Sequence, residues 1–403
     1  MKILQINATY GNTSTGSIVY DIDNILQKAS YQSKVACIVS SVQSDNIILV
    51  GTKRDRKWHA LWARITGKQA FYSKKSTRKF LKKLQGDMPD IIHLHNIHSN
   101  FLNLPILINF VKKNKIPLVI TFHDCWYFTG KCYHFLDNGC DKWKTLCEKC
   151  PKRYKDIPSI FFDSSKNVFT KKKHLFDMEN LYIVGCSKWV SEEARQSPLL
   201  EKAQIFQIYN GIEPSLFNPD RGDLREELGL ENSFVLVTMA NKWFDSRNKD
   251  IRKGVLDWLK SKDAKAIIIG CSEEQIKDYQ SVTNTICLGF IKDREYLVKA
   301  YNTASVFLNL TFVDTLPTVN MEAASCGVPI ITYNSGGSGE LVLEGKTGYV
   351  IQPLDQEALI CSLEKVRDGK IEKVDCRKWA IENFDKEKNY QKYLDLYQNI
   401  LDK

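Results

Sequence analysis

Apolar positions along this chain fall into short runs, each followed by a polar, glycine-bearing loop and then by apolar residues spaced three and four apart. Lys2–Ile6 is the first such run; the polar loop 7–17 follows it, then helical periodicity over 18–26. Further runs at 34–40, 89–96, 117–122, 181–186 and 205–209 predict strands in the first half. Runs at 234–239, 266–269, 285–289, 306–310 and 329–333 predict strands in the second. Unbroken apolar runs bounded by turn residues suit strands covered on both faces, as in parallel sheets. Helical patterns at 103–114, 255–260, 317–325 and 386–401 separate them, so the fold class is α/β with βαβ units. At 210–219 a glycine and two prolines interrupt the pattern and predict a linker. The 403 residues therefore divide into domains 1–209 and 220–380, with a terminal helix in 381–403.

Residues 307–341 concentrate the chemistry. Pro317 lies where a first helical turn tolerates a missing N–H, Gly327 ends that helix, and Pro329 blocks its continuation. Ser335, Gly336, Gly337 and Ser338 form the next loop. In open α/β sheets ligands sit at the carboxyl ends of the strands, where helix N-termini favour anions. Glu322, inside the first helix, is placed to accept hydrogen bonds from a diol. After the strand at 234–239, Lys242, Arg247, Lys249, Arg252 and Lys253 crowd 241–254 and suit a diphosphate; a solvated basic loop is the alternative for Arg247 and Lys249. The loop at 7–17 has phosphate-binding architecture without G-x-G-x-x-G. His93, His95, His123 and Asp124 close adjacent predicted strands and can converge.

Composition narrows the class. No run approaches the roughly 20 apolar residues of a membrane span, and the apolar run at the N-terminus is too short for a signal peptide. These features predict a cytoplasmic protein with reduced thiols. Of its 12 cysteines, Cys125, Cys132, Cys140, Cys147 and Cys150 fall in an insert at 125–151. Cys132, Cys140, Cys147 and Cys150 would suit a structural zinc ion; buried free thiols or a redox pair are the alternatives. The net charge of +10 is uneven: 53–86 holds twelve Lys or Arg against one acid, with Trp58, Trp62, Phe71, Tyr72 and Phe80 interleaved. This pattern suits an anionic membrane surface, and a solvated basic helix is the competing reading. No nucleic-acid motif is present, and nucleic acid is not an expected partner.

The motifs resemble those of GT-B retaining glycosyltransferases of family 4. Asp314 and Glu322 have the spacing of the family's two acids, followed by A-x-x-G-x-P-(V/I)-I and a GG-x-x-E loop; the family usually carries Glu at the first acid. The P-D-(I/V)-(I/V)-H-x-H pattern at 89–95, T-x-H-D at 121–124, the linker at 210–219 and Lys253-Gly254 are similar as well. The cysteine insert resembles that of the colanic-acid-type enzymes of surface-polysaccharide assembly. The resemblance implies two Rossmann-like domains facing each other across a cleft. It implies a nucleoside-diphosphate sugar donor, most often a UDP-sugar, no catalytic cofactor or metal, and a glycan or lipid-linked acceptor at the inner face of the cell membrane. His123, Asp314 and Lys253 would be catalytic. Thr15, Gly16, Lys242, Arg247, Lys253, Glu322 and Ser335 to Ser338 would bind the donor, and Leu288 to Phe290 would receive its base. His95 and Asn96 fit the acceptor side. A nucleotide-sugar epimerase on the same fold and a non-catalytic basic adaptor are the alternatives.

Overall fold

The computed structural model describes residues 1–403. They form two compact units, Met1–Asn210 with Glu387–Lys403, and Gly211–Lys386.

The first unit contains, in chain order, β1 (Lys2–Ile6), β2 (Thr9–Tyr10), β3 (Gln32–Cys37), β4 (Val39–Ser40), β5 (Ile47–Leu49), β6 (Ile91–Leu94), β7 (Leu118–Phe122), β8 (Leu181–Gly185) and β9 (Gln204–Gln207). Seven of these make one parallel sheet, in the order β5-β3-β1-β6-β7-β8-β9, while β2 and β4 pair separately. Every residue of β6, β7 and β8 is buried, as both-face cover requires. The order of strands reverses between β1 and β6, so the loops after Ile6 and Leu94 flank the switch point where such sheets bind ligands. The closing helix Lys386–Leu401 buries Tyr390, Tyr393 and Tyr397 against a core that includes Ile3, Ile22 and Val119 of this unit.

The second unit carries β10 (Val235–Met239), β11 (Lys265–Ile269), β12 (Thr285–Leu288), β13 (Val306–Asn309), β14 (Ile330–Tyr333) and β15 (Gly348–Ile351). They form a parallel sheet in the order β12-β11-β10-β13-β14-β15. Here the order reverses between β10 and β13, and the Thr238 hydroxyl donates to the Leu308 carbonyl across that pair.

Three local expectations change. The first helix begins at Ser14, inside the stretch read as loop, because the Thr13 hydroxyl accepts from the Gly16 N–H and starts the turn early. The basic stretch 241–254 is mostly helical, as Ala240–Trp243, Ser246–Asn248 and the start of Lys249–Ser261. The Asp245 side chain accepts from the Arg247 N–H and turns the chain into that last helix. Its cations therefore ride on successive turns rather than crowding one loop. Residues 53–86 form two helices, Lys53–Thr66 and Lys74–Leu84.

Candidate functional site

At the second unit's switch point two loops are knitted together. Gly336 has φ +57°, and a Cβ there would lie 1.9 Å from the Asp314 carbonyl oxygen, so only glycine permits this approach. The Gly337 N–H donates to that same oxygen at 3.1 Å. The Ser335 hydroxyl donates to the Phe312 carbonyl, and the Asp314 carboxylate accepts from the Leu316 N–H at 3.1 Å. The structure thus brings Asp314 and Ser335 to Ser338 together. Ser338 is fully buried, and its hydroxyl has no protein partner. Glu322 lies in the helix Thr318–Ser325, where Oε2 accepts from the Tyr301 hydroxyl at 2.9 Å. Burial pushes its carboxyl up, while Tyr301 and the charge of Arg294 pull it partly back.

A residue absent from the sequence reading organises this edge. Asn248 is fully buried. Its amide donates to the carbonyls of Lys242 and Leu310, and its oxygen accepts from the Tyr333 hydroxyl. One side chain thereby ties together the segments after β10 and β13 and the last residue of β14. The candidate cations differ in how firmly they are held. Arg247 chelates Asp245, at 3.0 Å through Nε and 2.6 Å through Nη2, and its guanidinium lies 3.9 Å from the centre of the Phe312 ring. Lys253 is exposed and pairs with Asp257 one turn away at 3.0 Å. Lys242 is half-buried, close enough to help hold Asp245 below its ordinary range. Phe290, just after the edge strand β12, is 81% exposed.

In the first unit the strand-end histidines meet. His95 Nδ1 lies 3.1 Å from His123 Nε2, and His95 Nε2 lies 3.3 Å from Gln5 Oε1. The Gln5 amide nitrogen donates to the Val19 carbonyl, which leaves its oxygen facing His95. His95 must therefore carry its proton on Nε2, so His95 Nδ1 accepts from His123 Nε2–H. His123 is left with Nδ1 as its acceptor. Burial holds His123 down to about 4 and His93 and His95 well below the ordinary range, so the cluster is neutral near pH 7. His93 packs its ring on His95, centroids 4.0 Å apart, and spends its nitrogens on the hydroxyls of Tyr397 and Thr121. Asp124 pairs with His98 at 2.8 Å and accepts from the Trp126 N–H. Thr15 and Gly16 lie in the first turn of Ser14–Lys28, where Thr13 already occupies the Gly16 N–H. A Cβ at Gly16 would sit 2.7 Å from the Thr9 hydroxyl. Asn96 donates its backbone N–H to the Asn7 side chain.

Residues 248–383 match the family model for glycosyl transferases group 1. They form a group 1 glycosyl transferase domain. The match contains Lys253, Asp314, Glu322 and Ser335 to Ser338, and begins at the buried Asn248. Among curated relatives, a putative colanic acid biosynthesis glycosyl transferase of Escherichia coli (strain K12) is 27% identical over 64% of this chain and 64% of its own length. A UDP-Gal:alpha-D-GlcNAc-diphosphoundecaprenol alpha-1,3-galactosyltransferase of Escherichia coli is 27% identical over 50% of this chain and 56% of its own length. The chain thus spans somewhat under two thirds of these relatives. Anabaena HepE in complex with UDP superposes with a TM-score of 0.65 at 16% identity, covering 99% of this chain and 100% of its own. A glycosyltransferase of Rickettsia africae gives 0.67 at 15%, over 99% and 98%. The fold around the group 1 domain is accordingly GT-B.

Outside the group 1 domain, the cysteine insert does not supply the zinc set expected of it. Burial, with a smaller contribution from neighbouring cysteines, pushes the Cys132, Cys147 and Cys150 thiols up: Cys150 acts on Cys132, Cys132 and Cys140 on Cys147, and Cys140 on Cys150. Yet no group of three or more His, Cys, Asp or Glu is arranged to hold a metal ion. Cys132 and Cys147 are buried thiols pushed up to about 12, and Cys147 Sγ accepts from the Gly130 N–H at 3.2 Å. The insert is held by packing instead: Phe128 meets Phe135 and Trp143 edge-to-face, and Phe135 lies tilted against Trp143. Lys172, fully buried, donates to the Trp126 and Thr129 carbonyls.

Proposed function

We propose that the chain is a retaining glycosyltransferase of family 4 that moves a sugar from a nucleoside-diphosphate sugar to a glycan or lipid-linked glycan in surface-polysaccharide synthesis. The observation that carries this reading is the contact of Gly336 and Gly337 with Asp314 beside Glu322, at a sheet switch point inside the group 1 domain. Glu322 would accept hydrogen bonds from the ribose diol. The loop Ser335 to Ser338 would wrap the diphosphate and sugar, with the unpartnered Ser338 hydroxyl as one donor. Departing diphosphate charge calls for preorganised cations and N–H groups. Lys253 can leave its exposed Asp257 partner at little cost, since such pairs contribute little. Arg247 is already neutralised by Asp245 and stacked on Phe312, so Lys242 is the better second cation. Thr15 and Gly16, at a helix N-terminus of the first unit, are assigned to phosphate by the family resemblance, and Phe290 would offer a ring face to the base.

His123 and Asp314 are assigned to the transferred sugar, and His95 and Asn96 to the acceptor. Retention would follow a same-face attack guided by the leaving phosphate oxygen, with no metal in the step. The UDP and UDP-glucose complexes of Anabaena HepE support a UDP-sugar as donor. The galactosyltransferase relative, named for a diphosphoundecaprenol substrate, supports a lipid-linked acceptor and a peripheral position at the inner face of the cell membrane. The test is a thermal-shift screen of nucleoside-diphosphate sugars. A ligand at ~100 times its dissociation constant stabilises the folded state by about 2.7 kcal/mol. Glu322→Ala should abolish that shift and the transfer that goes with it. Unchanged donor binding and transfer in Glu322→Ala would remove the assignment.

A further inference from the structure

We propose that the helix Lys53–Thr66, the loop 159–162 and the cavity beside them form one surface that seats on an anionic phospholipid bilayer. This rests on the peripheral-membrane reading above and names the surface and its chemistry. The helix buries only His59 and Ala63. Trp58, Leu61 and Trp62 share its outer face at helical spacing, and Trp58 and Trp62 are 62% and 46% exposed. Exposed apolar rings of this size are uncommon where nothing covers them.

The second component comes from a distant part of the chain. The Ile160 and Phe161 N–H groups donate to the carbonyls of Arg64 and Ile65, in the helix's last turn. Arg153 clamps the same loop through the Ser159 and Ile160 carbonyls. This pairing sets Ile160, Phe161 and Phe162 at the helix's end, and the two phenylalanines are 65% and 59% exposed. Five exposed apolar side chains in the two segments, together with Ile160, thus form one patch.

The third component is charge. A surface cavity of about 470 Å³ is lined by Lys68, Lys74, Arg78 and Lys171, with Phe71 and Tyr72 among its walls and no acidic residue. Tyr72 also meets Trp62, with ring centroids 6.4 Å apart, which joins cavity and helix. Arg54, Arg56, Lys57 and Arg64 add exposed cations along the helix. A narrow apolar stripe flanked by cations is the pattern of a helix lying in the plane of a lipid interface. Four cations without a counter-charge in one cavity suit a phosphate headgroup. The charge complement selects an anionic bilayer over a neutral one.

Co-sedimentation of the full chain with vesicles tests this. One set is phosphatidylcholine alone; the other is phosphatidylcholine with phosphatidylglycerol. The wild type should bind the second set and release it as salt rises. Lys68→Gln with Arg78→Gln should weaken that binding about 30-fold, from ~1 kcal/mol for each cation near the surface. Trp58→Ser with Phe161→Ser and Phe162→Ser should weaken it at least ten-fold while leaving the salt dependence intact. All five side chains are at the surface, so these variants should fold. Equal binding to both vesicle sets, or wild-type binding by the aromatic variant, would overturn the proposal. The same preparations, without vesicles, are assayed for stabilisation by a nucleoside-diphosphate sugar. Loss of that response in the wild type would count against the donor site, with the vesicle result standing separately.

Discussion

Gly336→Ala isolates the contact on which the donor site depends. Two costs add at this position. The backbone sits at φ +57°, where an L side chain costs roughly 1 kcal/mol relative to glycine. The new methyl would also start 1.9 Å from the Asp314 carbonyl oxygen, a backbone atom that cannot swing aside like a side-chain tip. Relief requires the two loops to part by about an ångström, which breaks the bond from the Gly337 N–H to that oxygen; such a bond contributes about 0.5–1.5 kcal/mol. The total is about 1.5–2.5 kcal/mol. Gly229→Ala provides the control, because its φ is +64° and nothing lies within 4 Å of the added Cβ. It carries the backbone cost alone, about 1 kcal/mol. Urea titration should be read by hydrogen exchange on peptides covering β13 and β14, which report the second unit itself. With a slope of 1–3 kcal/mol/M, the excess of about 0.5–1.5 kcal/mol should lower the midpoint by about 0.5 M beyond the control. Donor affinity should fall more than ten-fold in Gly336→Ala and stay unchanged in Gly229→Ala. Equal midpoints for the two variants would refute the argument that this contact, rather than generic glycine flexibility, shapes the loop.

Other outcomes follow from the same structure. Asn248→Ala should destabilise the second unit by about 2–4 kcal/mol, because it strands the Leu310 carbonyl and the Tyr333 hydroxyl in a buried site. Asn248→Asp should do no better, since a carboxylate cannot donate to the two carbonyls that the amide serves; denaturation of both variants checks this. Gln5→Leu should release His95 from its Nε2–H tautomer, and nitrogen-15 imidazole shifts should then report a mixture where the wild type shows one form. Stability should fall as pH drops from about 6.5 to about 4. Burial holds His59 and His123 at about 4, so in that window the unfolded chain binds more protons than the folded one. Each unit of displacement is worth about 1.4 kcal/mol, which makes the loss a few kcal/mol per histidine. Melting temperatures that stay flat from pH 7 to 5 would contradict the burial of both rings.

What the sequence made legible follows the range of the forces involved. Apolar runs and punctuating prolines act locally, so the strands on either side of Pro317 and Pro329, and the helix Lys386–Leu401, could be read in advance. Histidines at the ends of two predicted strands needed one further step, that the strands be adjacent, and β6 and β7 are. Asn248 had no such local signal. Its partners Leu310 and Tyr333 lie 62 and 85 residues away, and among five cations a neutral amide looks like loop filler. The cysteines show the opposite case: spacing suggested a ligand set, and although the four lie near one another, no group of three or more is arranged to hold a metal ion. Residues 160–162 are the most instructive case. This Ile-Phe-Phe run carries no expectation from the sequence, because apolar residues are normally buried and nothing local marks these as exposed. Only the backbone bonds to Arg64 and Ile65 show that this run spends its hydrogen bonds capping a helix end and leaves its side chains outside. An apolar run held in place by its backbone, with its rings uncovered beside a cavity of cations, has a site to offer rather than a core to fill.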